Sequence, residues 1–349
     1  MEKSDIIKWF QESFPKLVGE MREANHHFME SDEKVGGNKY KIISQNPYHL
    51  EGDILAHTMM VVNAAEPGHH NILAALLHDI GKPMCREAVK DKKRVRFFNH
   101  EPMSAFMALD VMKKFEEDFK IKLFKKELFQ AIALHTEPFK LSNEKLDERL
   151  VNQDKSFLHM LKVLNEADAD GRFYFAGDSE RYWEPQAKTR EITPKSKTAT
   201  VLIGLPCSGK SSYIRTLDPE TSHSVISRDD ILMKFPGDTY DEKWKNADQK
   251  KVDKIFQDWK KRCIESGDDL IFDLTHMSRK SRRRSIHNLP NDYKKKAIVF
   301  MPTLTEIAER NRKRSKTGKS IGGDVYEKMV CSFYPPMYDE FDEIEWRFE

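Results

Sequence analysis

The stretch Thr198–Ser212, TATVLIGLPCSGKSS, decides the fold of half the chain. TATVLI is a short apolar, β-branched run of the kind that forms a buried strand. It ends in Gly204-Leu205-Pro206-Cys207-Ser208-Gly209-Lys210-Ser211, which fits G-x-x-x-x-G-K-[ST], and SSYIRTL behind it has helical spacing. At average residue usage this pattern arises by accident in about one chain in a hundred of this length, and the strand before and helix after lower that figure. A strand, a glycine-rich turn and a helix start make a phosphate cradle, because backbone N–H groups wrap the anion at the positive end of the helix. Gly204, Ser208, Gly209, Lys210, Ser211 and Ser212 are therefore expected to hold a nucleotide such as ATP, with Lys210 on the β/γ oxygens and the Ser211 hydroxyl on Mg²⁺.

Downstream, SHSVIS, DDLIFDL and KKAIVFM are further apolar runs separated by helical patterns, which predicts a parallel sheet with right-handed crossovers. Residues just past the carboxyl ends of such strands face the ligand crevice. Arg228-Asp229-Asp230 follows SHSVIS, and a carboxylate there can accept the proton of an attacking hydroxyl in line with the γ-phosphate. The same aspartates can also cap the following helix; the reading takes Asp229 as base and Asp230 as cap. Asp273, at the end of the third run, suits a holder of Mg²⁺ or its water. The basic run Arg279–Arg284 is either a solvated helix face or a contact for a phosphate backbone. Arg310 and Arg314, in RNRKR before SKTGKSIGG, fit a lid that closes over ATP and offsets charge on the transferring group.

Upstream, DSERYWEPQAKTREITPKSKTAT is polar, holds Pro185 and Pro194 and lacks apolar periodicity, so it reads as a linker. Before it, DILAHTMMVVNAA, HHNILAALLHDIGK, EPMSAFMALDVMKKF, KKELFQAIALH and KSFLHMLKVLNEADADGR all have helical spacing, with Gly81 as a C-terminal stop for the second. The expected organisation is an all-α helical bundle over residues 1–180, a linker over 181–197, and an α/β domain with a central parallel sheet over 198–349.

Length and composition agree with two globular domains: 349 residues, 39% hydrophobic and 33% charged. Lys+Arg 59 against Asp+Glu 57 leaves a net charge of +2, so the whole chain carries no strong electrostatic label, although a local basic groove is still possible. No run approaches the roughly 20 apolar residues of a membrane span. Four scattered cysteines without a CxxC pair fit reduced thiols, and the expected location is cytoplasmic.

The α half carries its own chemistry. His78-Asp79 ends an apolar helix, and His57, His100, His135 and Asp168 each lie on a different helical segment, as a metal centre between facing helices requires. Neutral imidazoles with carboxylates suit a first-row transition metal. Asp170 is the alternative to Asp168 within ADAD. Lys82 can touch a substrate phosphate or cap helix carbonyls. His26, His27, His69 and His70 read as surface residues.

These motifs resemble known families. GLPCSGKSS, SRDDI, DLTH and RNRKR, in that order, resemble the phage and bacterial 5′-hydroxyl polynucleotide kinases. The resemblance implies Lys210 and Ser211 for ATP–Mg²⁺, Asp229 as base, and Arg310 with Arg314 as lid; it departs at Leu232, where the phage enzyme has a substrate-binding arginine. HLEGDILAHT, HDIGK and NHEPMSAFMA resemble the HD phosphohydrolases, most closely the HD module of bacterial CCA-adding enzymes. That implies His57, His78, Asp79 and Asp168 as ligands, with His100 and His135 for a second ion and Asp79 bridging.

The whole chain resembles the bifunctional HD–Pnk end-healing enzymes of bacteria. The resemblance implies two divalent metals such as Mn²⁺, Ni²⁺, Co²⁺ or Zn²⁺ in the HD site, and RNA or DNA ends with a 5′-hydroxyl and a 2′,3′-cyclic, 2′- or 3′-phosphate as substrates. A separate RNA ligase would seal the ends. A P-loop small-molecule or nucleoside kinase fused to an HD nucleotidase is the alternative, and a non-catalytic ATP-sensing module a third.

Overall fold

The computed structural model describes residues 1–173, 183–218, 223–315 and 321–348. It divides into two compact units, Met1–Glu148 with Asn152–Lys188, and Arg149–Val151 with Thr189–Glu349. The division after residue 188 falls inside the stretch read as linker. Part of that stretch, residues 181 and 182, lies outside the described residues, as do residues 316–320 of the expected lid flap. Trp183, also assigned to the linker, is fully buried in the first unit and donates its indole N–H to Asp147 at 3.1 Å. A tryptophan in a polar context carries no periodicity, so only its packing shows it to be core.

The first unit is helical around five main helices, Ile54–Ala64, His69–Leu77, His100–Phe119, Lys125–Leu134 and Lys155–Asp170. Each buries an apolar stripe, and the polar candidates interrupt those stripes at helical intervals. Ile54, His57, Thr58 and Val61 share one buried face; Phe157, Leu161, Leu164 and Asp168 share another. Two small antiparallel ribbons accompany the helices: β1 (Phe28–Met29) with β2 (Ile42–Ser44), and β3 (Arg86–Val89) with β4 (Arg94–Phe97). They are too short to carry a strand signal in sequence. Gly81 is not a left-handed helix stop; its φ is −84°. It is needed because a Cβ there would lie 2.5 Å from the Ser104 nitrogen and 2.8 Å from the His100 carbonyl oxygen, where the His-Asp turn meets the long helix.

The second unit holds the expected parallel sheet. Its strands are β5 (Lys197–Ile203), β6 (His223–Ser227), β7 (Asp269–Asp273), β8 (Tyr293–Met301) and β9 (Glu343–Phe348), in the order β6-β7-β5-β8-β9. All neighbouring pairs are parallel. The strand leading into the phosphate cradle is central, and Val201, Leu202, Phe272 and Ile298 pack in its core. β9 was not anticipated: EIEWRF is a half-buried edge strand whose charged residues mask its alternation. In register, Leu202 and Ser227 both lie beside Asp273, so the expected chemical groups gather at one end of the sheet.

Candidate active sites

In the first unit, His57, His78, Asp79, His100, His135 and Asp168 converge, each no more than 8% exposed. Asp79 lies at the middle. Its Oδ2 is 3.5 Å from His57 Nε2 and 3.2 Å from His78 Nε2, whereas its Oδ1 is 3.3 Å from His100 Nε2 and 3.7 Å from His135 Nε2. Asp168 Oδ1 is 3.2 Å from His57 Nε2 and 3.9 Å from His78 Nε2. Three overlapping ligand groups thus form around two carboxylates: His57–His78–Asp79 and Asp79–His100–His135 share Asp79, and His78–His135–Asp168 links them through Asp168.

The outer shell sets the imidazoles. His57 Nδ1 meets the Gly171 carbonyl at 3.2 Å, His78 Nδ1 that of Ala75 at 2.7 Å, His100 Nδ1 that of Phe97 at 2.7 Å, and His135 Nδ1 that of Ile132 at 2.8 Å. A carbonyl only accepts, so each Nδ1 carries a proton, and Nε2 is the ring nitrogen turned toward Asp79. Gly171 is glycine because a Cβ would stand 2.5 Å from Val61 Cγ2 and 2.7 Å from the Val61 nitrogen, in the helix that bears His57.

Electrostatics follow from burial. Burial alone would raise the Asp79 carboxyl, yet His78 and Lys82 beside it hold it well below the usual carboxylate range. Burial, reinforced by His78 and His100, lowers His135 to about 3, which leaves it neutral. His57 Nε2 and His78 Nε2 are buried without a hydrogen-bond partner, and they face an Asp79 carboxylate whose Oδ2 is ion-paired with Lys82. Imidazole nitrogens buried without partners beside two buried carboxylates are costly unless a cation satisfies them, so the residues present fit a divalent metal.

Of ADAD, Asp168 faces the cluster and Asp170 is exposed, as two residues of helical rotation require. Lys82 is buried with its Nζ 2.6 Å from Asp79 Oδ2 and 3.1 Å from His26 Nε2, so the helix-cap alternative does not describe it. Two reassignments follow. His26 and His27 are buried, not surface residues. His26 donates from Nδ1 to the Gly52 carbonyl and stacks on His49 at 4.0 Å. Glu51 was not singled out either, and it accepts from His49 Nδ1 at 2.8 Å while lying 3.0 Å from His57 Nδ1. Arg172 clasps Asp168 through two hydrogen bonds of 3.2 and 2.6 Å. These residues come from loops or follow a helix end, where no periodicity marks them; only the NEADADGR string hinted at Arg172.

In the second unit, a cleft of about 1010 Å³ opens over the P-loop, lined by Ser208, Gly209, Lys210, Ser211, Ser212, Asp229, Asp273, Arg310 and Arg314 among others. Gly204 heads the loop, its N–H bonded to the Thr275 carbonyl at 3.0 Å. Lys210 Nζ donates to the Gly204 and Leu205 carbonyls, each at 2.8 Å. Burial lowers its pKa to about 8, partly countered by Asp273 and Asp229. Ser227, rather than either aspartate, caps the helix after β6, accepting from the Asp230 nitrogen. Asp229 instead accepts a hydrogen bond from the Tyr240 hydroxyl at 2.8 Å. Arg310 and Arg314, one turn apart on the helix Leu304–Ser315, reach the P-loop at the Cys207 carbonyl and sulfur.

The run Arg279–Arg284 divides. Arg282 is fully buried, paired with Glu340 at 2.6 Å, and Arg279 pairs with Asp339 at 2.6 Å, so these two are structural. Arg283 and Arg284 are exposed. Leu232 is buried in the core, while Arg228 lines the cleft and is held by Asp253 and Gln249.

Among the described residues no helix is long and apolar enough to cross a membrane. No curated protein matches the chain. One chain in a structure of a Pnkp1/Rnl/Hen1 RNA repair complex is 26% identical over 40% of this chain and 45% of that one, with a TM-score of 0.33. A second structure of a Pnkp1/Rnl/Hen1 complex gives 23% identity over 35% and 41%, with a TM-score of 0.27. The chain spans less than half the length of either. The family model of the HD domain matches residues 54–170, and that of the AAA domain matches residues 200–336. The chain therefore joins an HD domain to a P-loop domain of the AAA type.

Proposed function

We propose that this chain is a bifunctional end-healing enzyme for nucleic acid, RNA above all, with a metal-dependent HD phosphohydrolase site and an ATP-dependent 5′-hydroxyl kinase site. The observation that carries the hydrolytic half is the convergence of the His57, His78, His100 and His135 Nε2 atoms on the two oxygens of the buried Asp79. His57, His78 and Asp168 would hold one divalent ion and His100 and His135 another, with Asp79 offering an oxygen to each. Such ions supply a water nucleophile at neutral pH and offset charge on a phosphate ester. Lys82 and Arg172 are the cationic side chains beside the cluster, suited to bind the phosphate's free oxygens. The attacking water forms the new P–O bond, the ester P–O bond breaks, and the ribose hydroxyl leaves with a proton. A 2′,3′-cyclic, 2′- or 3′-phosphate meets that requirement.

In the kinase half, the P-loop N–H groups and Lys210 bind the β/γ oxygens, with Ser211 and Asp273 on the Mg²⁺ side. Asp229 accepts the proton of the 5′-hydroxyl as its oxygen attacks the γ-phosphorus and ADP leaves. Arg310 and Arg314 offset charge on the transferred group. Once both ends are healed, a separate RNA ligase would seal them.

The test is one incubation: an oligoribonucleotide with a 5′-hydroxyl and a 3′-phosphate, ATP and Mn²⁺, Ni²⁺ or Co²⁺, followed by analysis of both termini. A 5′-phosphate and a 3′-hydroxyl are expected. Faster turnover of free nucleosides and mononucleotides than of RNA ends would overturn the polynucleotide assignment.

A further inference from the structure

The cleft over the P-loop has two flanks, because the P-loop strand β5 is central and β6 and β9 are the two edges of the sheet. On the β9 side, the Arg347 guanidinium lies over the Tyr213 ring at 4.5 Å. On the β6 side, Asp229, Tyr240 and Trp244 line the wall. Trp244 is 45% exposed, and among the described tryptophans it is the one open to solvent to this degree. An indole face held open at the wall of a polar, phosphate-binding cleft has the form of a stacking surface.

Local structure fixes that face. The helix Tyr240–Asn246 starts in a capping box in which Thr239 and Glu242 satisfy each other's backbone N–H groups. Tyr240 and Trp244 are four residues apart and so share one side of it. The Tyr240 hydroxyl donates to Asp229 Oδ1 at 2.8 Å, which ties the same turn of helix to the carboxylate.

We propose that Trp244 stacks the 5′-terminal nucleobase of the polynucleotide acceptor, and that Tyr240 is the positioning residue that aims the Asp229 carboxylate at that nucleotide's hydroxyl. The inference rests on the kinase reading above. The flank follows from the chemistry: a base must touch the hydroxyl it deprotonates, so the side of the P-loop that holds Asp229 receives the acceptor. The donor's phosphates occupy the centre and its own base the remaining side. Stacking is tolerant of sequence, because every base has a π-face, so this subsite would favour a polynucleotide end without dictating its identity.

Three proteins test it: the full chain, Trp244→Leu and Trp244→Phe, each titrated without ATP with a 5′-hydroxyl oligoribonucleotide and followed by tryptophan fluorescence. The wild type is expected to be quenched and Trp244→Leu to lose that quench and bind roughly tenfold more weakly, with Trp244→Phe retaining most of the affinity. In turnover, Trp244→Leu should raise KM for the oligonucleotide and leave KM for ATP and kcat at saturation unchanged. Tyr240→Phe should do the opposite, lowering kcat about tenfold with both KM values and the melting temperature unchanged.

Oligonucleotide affinity and KM within twofold of wild type in Trp244→Leu would overturn the stacking role, and a rise in KM for ATP instead would place the donor base there. Tyr240→Phe with unchanged kcat would remove the positioning role. If the wild type binds the oligonucleotide through Trp244 yet transfers no phosphate, the kinase reading fails and the subsite stands. If transfer proceeds and Trp244→Leu changes nothing, the kinase reading stands and the subsite fails. No binding by the wild type defeats both.

Discussion

The two candidate sites are built in opposite ways. The histidine–aspartate centre is closed: six side chains from five segments are nearly inaccessible, and backbone carbonyls and Glu51 hold its four imidazoles. The P-loop cleft is open, about 1010 Å³, and its core is one contiguous turn whose lysine is anchored by that turn's own carbonyls. A closed polar centre depends on its surroundings, because each unsatisfied buried atom costs free energy. An open one depends on local backbone geometry, and its side chains can reorganise around a ligand.

That contrast can be broken most sharply by removing its two anchors. Asp79→Ala takes away the carboxylate that faces all four imidazoles; phosphate release from the 3′ end should fall by about a thousandfold or more, with 5′ phosphorylation within twofold of wild type. Lys210→Ala should do the reverse, reducing γ-phosphate transfer by roughly 10²–10³ and sparing the hydrolase. Equal loss of both activities in either variant, with circular dichroism unchanged, would show that the sites are not independent.

Smaller changes sharpen the comparison. Glu51→Gln leaves every expected ligand in place and weakens the support of His57 and His49, while its amide oxygen can still accept from the Phe173 nitrogen. Metal affinity, read from the rise in melting temperature on titrating Mn²⁺, should drop by about 10–100-fold. Gly171→Ala should cost about 1–3 kcal/mol of stability in denaturant, since its Cβ would press on Val61 and on the helix that carries His57. At the open site the informative variable is pH. Lys210 is held down to about 8, and bound phosphate oxygens favour its charged form. Nucleotide binding should therefore take up a proton once the pH exceeds about 8, detected as a dependence of the calorimetric heat on the ionisation enthalpy of the buffer; an equal uptake in Lys210→Met would assign the proton elsewhere.

The difference between the sites also governs how legible each was. GLPCSGKSS is continuous in the chain, and its strand, turn and helix appear in the structure in that order. The candidate ligands are dispersed between residues 57 and 168, and what made them readable was their position on separate helical segments together with the His-Asp pair. Their supports were not readable. Glu51, His49 and His26 sit on connecting segments, where neither period 3.6 nor period 2 applies, and Arg172 follows a helix end. Trp183 and β9 were missed for a related reason: each is apolar in part, but charged neighbours hide the pattern until packing is known.

The amino-acid order alone determined a helical half and a sheet half, the phosphate-binding turn, and the helical faces on which His57 and Asp168 lie, because those depend on contacts within a few residues of each other. Only the tertiary structure decided which oxygen of Asp79 faces which imidazoles, that Lys82 lies between Asp79 and His26, that Arg282 is a buried strut, and that Tyr240 holds Asp229. Those facts depend on groups brought together from distant parts of the chain, and their energies exist only once water has been excluded from between them.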